Sequence, residues 1–115
     1  MLHKANRLTN ATDFQRVYKH GASVVARQMI IYYYPRNNDD VRAGFVASKK
    51  VGKSTERNRC KRLLRESMRA FLPQLVSGHD LVIVARPSLL AADFQGIKKI
   101  MARMLRKAKL LREEK

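Results

Sequence analysis

Cysteine is almost missing from this 115-residue chain, in which Cys60 stands alone. That excludes an intramolecular disulfide and a cysteine-only zinc site, and it fits a reducing compartment. Histidine is scarce as well, and His3, His20 and His79 lie too far apart in sequence to show metal-ligand spacing. Long apolar runs are lacking: the strongest, MIIYYY and LVIVA, fall far short of the roughly 20 residues a membrane helix needs, and MLHKANRLTNATDF holds no apolar core of signal-peptide length. A soluble cytoplasmic protein with no membrane partner is expected. The chain also has no internal repeat, low-complexity tract or linker. The scarcity with most consequence is that of acid, since 9 Asp and Glu face 25 Lys and Arg, a formal net charge of +16.

Surface scaling for 13.3 kDa allows burial of about two-thirds of the unfolded surface, enough for one compact domain and not for two. One domain over residues 1–115 is expected, with ends at about 1–8 and 111–115 frayed. Hydrophobic residues make up 45% of the chain, too many for a disordered basic tail, so the charge sits on a folded object. Such self-repulsion is relieved by a polyanion, with nucleic acid the first suspect.

Local signals predict the element order αβ(β)βαβα, an α+β fold of helices packed on a small sheet. Thr12 and Gln15 form a capping box for a first helix over Thr12–His20, with Phe14, Val17 and Tyr18 at helical spacing and Gly21 at its end. Residues Ser23–Pro35 read as a short strand followed by a longer one. A turn at Asn37-Asn38-Asp39-Asp40 leads into a strand over Val41–Ser48, which predicts a hairpin between the strands on either side of it. The second helix, Ser54–Leu72, carries the apolar stripe Cys60, Leu63, Leu64, Met68 and Phe71, with Pro73 just beyond. Asp80–Arg86 is an apolar run of strand length, stopped by Pro87. A third helix from about Asp93 presents Phe94, Ile97, Met101, Met104, Ala108 and Leu111.

Charge is concentrated. Residues 42–69 hold ten Lys and Arg against two Glu, and residues 98–115 hold eight against two. Between them, residues 70–97 are nearly neutral. The dense segment contains Lys49, Lys50, Lys53, Arg57, Arg59, Lys61, Arg62, Arg65 and Arg69. On the second helix Asn58, Arg62, Arg65 and Arg69 lie opposite the apolar stripe, with Arg59 and Lys61 on its flanks. A solvated amphipathic helix would show the same two faces. It would not gather like charges at i, i+3 and i+4, nor place cations at the positive end of the helix dipole, where each costs a few tenths of a kcal/mol. Phosphate at that end reverses the sign of both terms.

Enzymatic readings of this segment fail on particular residues. Gly52-Lys53-Ser54 matches the tail of a phosphate loop, but Ala47 stands where the first glycine belongs, and Asp80 precedes its strand instead of following it. Two-metal hydrolysis needs carboxylates that hold ions about 4 Å apart, and Glu56 and Glu66 are about 15 Å apart along a helix. Spacing leaves a tertiary Ser/His/Asp or Cys60/His arrangement open, although Cys60 lies on the apolar stripe and is most simply core. The aromatic residues offer base stacking: Phe14 and Tyr18 stand one turn apart, and strand alternation puts Tyr32 and Tyr34 on one face and Tyr33 on the other. Each could equally be a core residue.

Ser48-Lys49-Lys50-Val51-Gly52-Lys53, followed by Glu56-Arg57-Asn58-Arg59-Cys60-Lys61-Arg62-Leu63-Leu64-Arg65-Glu66, resembles the signature of the bacterial ribonuclease P protein subunit. Asn6-Arg7-Leu8, Asp13-Phe14, Lys19-His20-Gly21 and Val82-Ile83-Val84-Ala85-Arg86 are similar to that family in order and spacing, so the resemblance spans nearly the whole chain. It implies a four-stranded mixed sheet with three helices and a left-handed βαβ crossover, a fold shared with a domain of a ribosomal protein. It implies no catalytic side chain and no cofactor bound by the protein, the RNA subunit performing Mg²⁺-dependent removal of the 5′ leader from precursor tRNA. The implied partners are that RNA and the precursor, with no further protein needed. By resemblance, Phe14, Tyr18 and Tyr32 form the leader-binding cleft. The RNA-binding set is Arg57, Asn58, Arg59, Lys61, Arg62, Arg65 and Arg69 with Lys49, Lys50 and Lys53. Some family members have Phe where Tyr18 stands, a change that preserves stacking. A ribosomal protein or RNA chaperone without a role in cleavage would share every charge argument.

Overall fold

The computed structural model describes residues 7–36 and 40–112. In chain order the elements are α1 (Ala11–His20), β1 (Ala22–Val25), β2 (Met29–Pro35), β3 (Val41–Val46), α2 (Ser54–Phe71), β4 (His79–Ala85) and α3 (Phe94–Lys107). This is the expected α+β order. The sheet runs β1-β2-β4-β3, with β1/β2 and β2/β4 antiparallel and β3/β4 parallel.

That order corrects the hairpin expected between β2 and β3, which β4 separates. The reason lies in the composition of β4. Leu81, Ile83 and Ala85 point into the core beneath α2 and α3, while Val82 and Val84 face α1. A strand apolar on both faces is best satisfied in the middle of the sheet, where both faces are covered and both edges paired. The hairpin that does form joins β1 to β2, with Ala26 N–H donating to Met29 O at 2.9 Å. Of the expected 37–40 turn only Asp40 belongs to the described residues; Asn37, Asn38 and Asp39 lie outside them, as does Asn6.

Helix boundaries shift for identifiable reasons. Asn10, not Thr12, caps α1, its side-chain oxygen accepting the Thr12 N–H at 2.8 Å; an Asn two residues upstream competes well with Thr for this role. On α3, Ile97, Met101, Met104 and Leu105 are buried and Phe94 is exposed. Ala108 and Leu111 lie past the helix end, because Lys109 adopts a left-handed φ of 60°. Leu110 N–H then bonds to Leu105 O at 2.9 Å, burying Leu110. Two residues expected to fray are held: Leu8 N–H donates to Ala43 O at 2.9 Å, and Leu111 bridges to Leu75. No helix among the described residues is long and apolar enough to cross a membrane.

Candidate nucleic-acid interface

Alternation along the strands gives the sheet two different faces. Under α2 and α3 lie the large apolar residues, Tyr33 and Phe45 among those at the margin. On the α1 face the register aligns Tyr32 with Val82 and Gly44, and Tyr34 with Asp80 and Arg42. Helix α1 buries only Val17 on that face. It leaves Tyr32, Tyr34, Val46 and Val84 half-buried beside Phe14. The Phe14 ring sits directly over Gly44, where any β-carbon would collide with its Cζ. Tyr18 meets Tyr32 edge to face, centroids 5.1 Å apart at 86°. Burial, and to a lesser degree the neighbouring Tyr32, raises the Tyr18 hydroxyl above its ordinary value. The three aromatics nominated from sequence thus share one groove between α1 and the sheet. Tyr34, 6.4 Å from the His20 ring, extends its aromatic lining; shared strand parity with Tyr32 was the signal that could have included it.

Charge holds α1 in place. Asp80 is completely buried, receives Arg42 through two hydrogen bonds of 2.9 and 2.8 Å, and lies 2.7 Å from Arg36 Nε. Arg42 reaches on to Asp13 of α1 at 3.2 Å, and Arg36 to Asp40 at 2.5 Å. The Asp80 hydrogen bond raises the Arg42 guanidinium above its ordinary value despite partial burial. Sequence reasoning noticed Asp80 only as a misplaced magnesium ligand. A lone acid opening an apolar strand was the available signal, but its partners on two other strands appear only with the register.

The chain leaves the groove along β3. Past Val46, Val51 N–H bonds to Ser48 O at 3.0 Å, and Gly52 takes a φ of 154°. Glu56 folds back to accept the Lys53 N–H at 3.1 Å, so close that a β-carbon on Gly52 would lie 2.6 Å from its carboxylate. Thus the one acid in the first turn of α2 is engaged as a cap. From there Cys60, Leu64, Ser67 and Met68 turn inward, and Asn58, Arg59, Arg62 and Arg69 are exposed. Arg69 has Glu66 at 3.7 Å, and Arg65 lies over the Phe45 ring at 5.7 Å. Arg57 sits at the margin of the buried face, its Nε out of solvent. The charged side-chain groups of Lys49, Lys50, Lys53, Arg59, Lys61 and Arg62 have no acidic partner among the described residues.

These features match known proteins along nearly the whole chain. The family model described as Ribonuclease P matches residues 2–109. The chain belongs to the ribonuclease P protein family. A relative named ribonuclease P protein component, from Caldanaerobacter subterraneus subsp. tengcongensis, is 41% identical over 99% of this chain and 98% of its own. The ribonuclease P protein of Staphylococcus aureus superposes with a TM-score of 0.84 at 33% identity, covering 94% of this chain and 99% of that one. That of Thermotoga maritima superposes with a TM-score of 0.78 at 28% identity, covering 87% and 96%.

In this ribonuclease P family member, Cys60 is not available for the chemistry left open by its spacing: it is fully buried, and burial pushes its thiol up. Where acids do converge, at Asp13, Asp40 and Asp80, arginines stand between them. Among the described residues no group of three or more His, Cys, Asp and Glu could hold a metal ion. The geometry suits binding: cations for phosphates and rings for bases. Arg62→Gln should make log affinity for RNA about one unit shallower against log salt, as expected for one lost phosphate contact. A salt titration of binding measures this.

Proposed function

We propose that this chain is the protein subunit of a ribonuclease P holoenzyme, helping its catalytic RNA remove the 5′ leader from precursor tRNA. The observation that carries this reading is that β3 links the aromatic groove, where Phe14 lies over Gly44, to a cationic ridge in which the charged groups of Lys49, Lys50, Lys53, Arg59, Lys61 and Arg62 have no acidic partner among the described residues. A single-stranded leader suits the groove, where Phe14, Tyr18 and Tyr32 offer ring faces and edges to unstacked bases. The ridge, from Lys49 through Arg62 with Arg65 and Arg69 farther along, suits the phosphates of the RNA subunit and the nearby cleavage region. Hydrolysis is assigned to the RNA, which would hold the Mg²⁺. The protein contributes charge neutralisation and grip.

Reconstitution tests the proposal. Together with ribonuclease P RNA at low Mg²⁺, the protein should support cleavage of precursor tRNA at the mature 5′ end. Protein alone should produce none. Within that holoenzyme, Tyr32→Ala should weaken binding of a precursor with a full leader by about tenfold, as expected from losing about 1–3 kcal/mol of stacking. A leaderless tRNA should bind unchanged. Cleavage by the protein alone, or no stimulation of the RNA, would refute the assignment.

A further inference from the structure

Helices α2 and α3 pack side by side, but α2 lies over β3 and β4 while α3 lies over β1. Since β1 and β3 are opposite edges of the sheet, three strand spacings, about 14 Å, separate the two margins. Helix α3 contains Lys98, Lys99, Arg103, Arg106 and Lys107 and no acid. Lys99, Arg103 and Lys107 repeat at i, i+4 and i+8, an unfavourable like-charge stripe when nothing lies against it. Between α3 and the β1–β2 turn is a cavity of ≈340 Å³, within the usual range of about 300–1,000 Å³ for small-ligand sites. Val24, Ile100 and Met104 supply its apolar lining, and Arg27, Arg103 and Lys107 its cations. None of these three cations has an acidic partner among the described residues. The turn is fixed from below: Arg86 of the β4 exit donates from Nη1 to Ala26 O and from its backbone N–H to Gln28 O, both at 3.0 Å. That presents Arg27 on a prebuilt edge.

We infer that this cavity is a second RNA site, taking one unpaired nucleotide of the ribonuclease P RNA with its base against Val24, Ile100 and Met104 and its phosphate on Arg27, Arg103 and Lys107. The inference rests on the RNA-binding reading above and adds a contact at the margin remote from the α2 ridge. An apolar lining beneath a cationic rim suits a base joined to a phosphate. The stripe runs from Lys99 to Lys107, about 12 Å along the helix, longer than a single phosphate needs, which favours a strand of RNA over a free nucleotide.

Binding of full-length ribonuclease P RNA to the intact protein tests it. Replacing Arg27, Arg103 and Lys107 together with Gln should make the salt dependence shallower by about two to three units. Ile100→Trp, which fills the cavity without changing charge, should weaken binding about tenfold at an unchanged slope. If that variant fails to fold, Arg27→Glu on the exposed turn should still lower affinity. An unchanged slope in the triple variant, with the Arg62→Gln effect present, overturns this inference and leaves the RNA-binding reading standing; loss of neither slope overturns both. Affinity unaffected by folded Ile100→Trp overturns insertion of a base. Nuclear magnetic resonance shifts at the Ile100 and Met104 methyls on adding nucleoside monophosphates or poly-glutamate, with none on adding the RNA, would assign the cavity to a free nucleotide or an acidic peptide and overturn the proposal.

Discussion

Asp80→Ala should destabilise the fold by about 3 kcal/mol, more than most single changes on the surface of this protein. Asp80 lies in the central strand with no solvent exposure, aligned with Arg42 on one side and Tyr34 on the other. Its removal leaves Arg42 with Asp13 as its one acidic partner among the described residues and takes the buried carboxylate away from Arg36, which keeps Asp40, while both guanidinium groups stay largely out of water. Breaking one side of a buried pair is costly because the remaining charge keeps its desolvation penalty and loses its compensation. Replacing the whole group is a different case. Asp80→Leu combined with Arg36→Leu and Arg42→Met should recover much of the loss, since the strand's apolar surroundings then accept apolar side chains. Urea denaturation of the variants measures both outcomes; Asp80→Ala within about 0.5 kcal/mol of the parent would show that the network contributes little.

The fate of this network shows where sequence reading stops. The stripe of α2 was legible because helical spacing places Cys60, Leu64 and Met68 on one side by geometry internal to the helix, and all three are buried. Aromatic parity was legible for the same reason: Tyr32 and Tyr34 face α1 and Tyr33 faces the other side. Strand order was not. A local turn signal over residues 37–40 argues for pairing β2 with β3, whereas the demand of β4 for cover on both faces is a tertiary property that prevails. Asp80 acquires its meaning only from that order, because its two arginines come from the strand β3 and the exit of β2, which flank it in the sheet. Arg57 and Arg65 are similar cases: sequence counts them with the ridge, but their surroundings differ, Arg57 lying at the buried margin and Arg65 over the Phe45 ring.

The +16 charge also has a structural division. Acids are few and largely committed to structure: Asp13, Asp40 and Asp80 to the arginine network, Glu56 to the α2 cap, Asp93 to the α3 cap through Gly96 N–H at 2.7 Å. Cations outside those pairs are left to repel one another on α2 and α3. The fold therefore spends its acids on the arginine network and the helix starts, and the outer faces of both long helices keep an excess of positive charge of the kind a polyanion would relieve.

Gly44→Val should uncouple leader recognition from folding. Valine suits a strand, so β3 itself should tolerate it, but its side chain would occupy the space over which Phe14 lies. Phe14 must then move out of its place in the groove, with an overpacking cost of about 1–3 kcal/mol. Phe14→Ala removes the two closest contacts, leaving Leu8 O 3.2 Å from that β-carbon. The double variant should therefore be less destabilised than the sum of the two single changes, an interaction that a double-mutant cycle reads directly. Leader binding should behave differently, because Gly44→Val displaces the ring and Phe14→Ala deletes it. Both single variants and the double should lose preference for a full-leader precursor to a similar extent, while leaderless tRNA and the RNA subunit bind as before through the α2 ridge. Recovery of stability without recovery of leader preference separates the ring's packing role from its contact with substrate. If relief of the steric conflict also restored leader preference, Phe14 would be a packing residue alone and the groove would recognise the leader through Tyr18 and Tyr32.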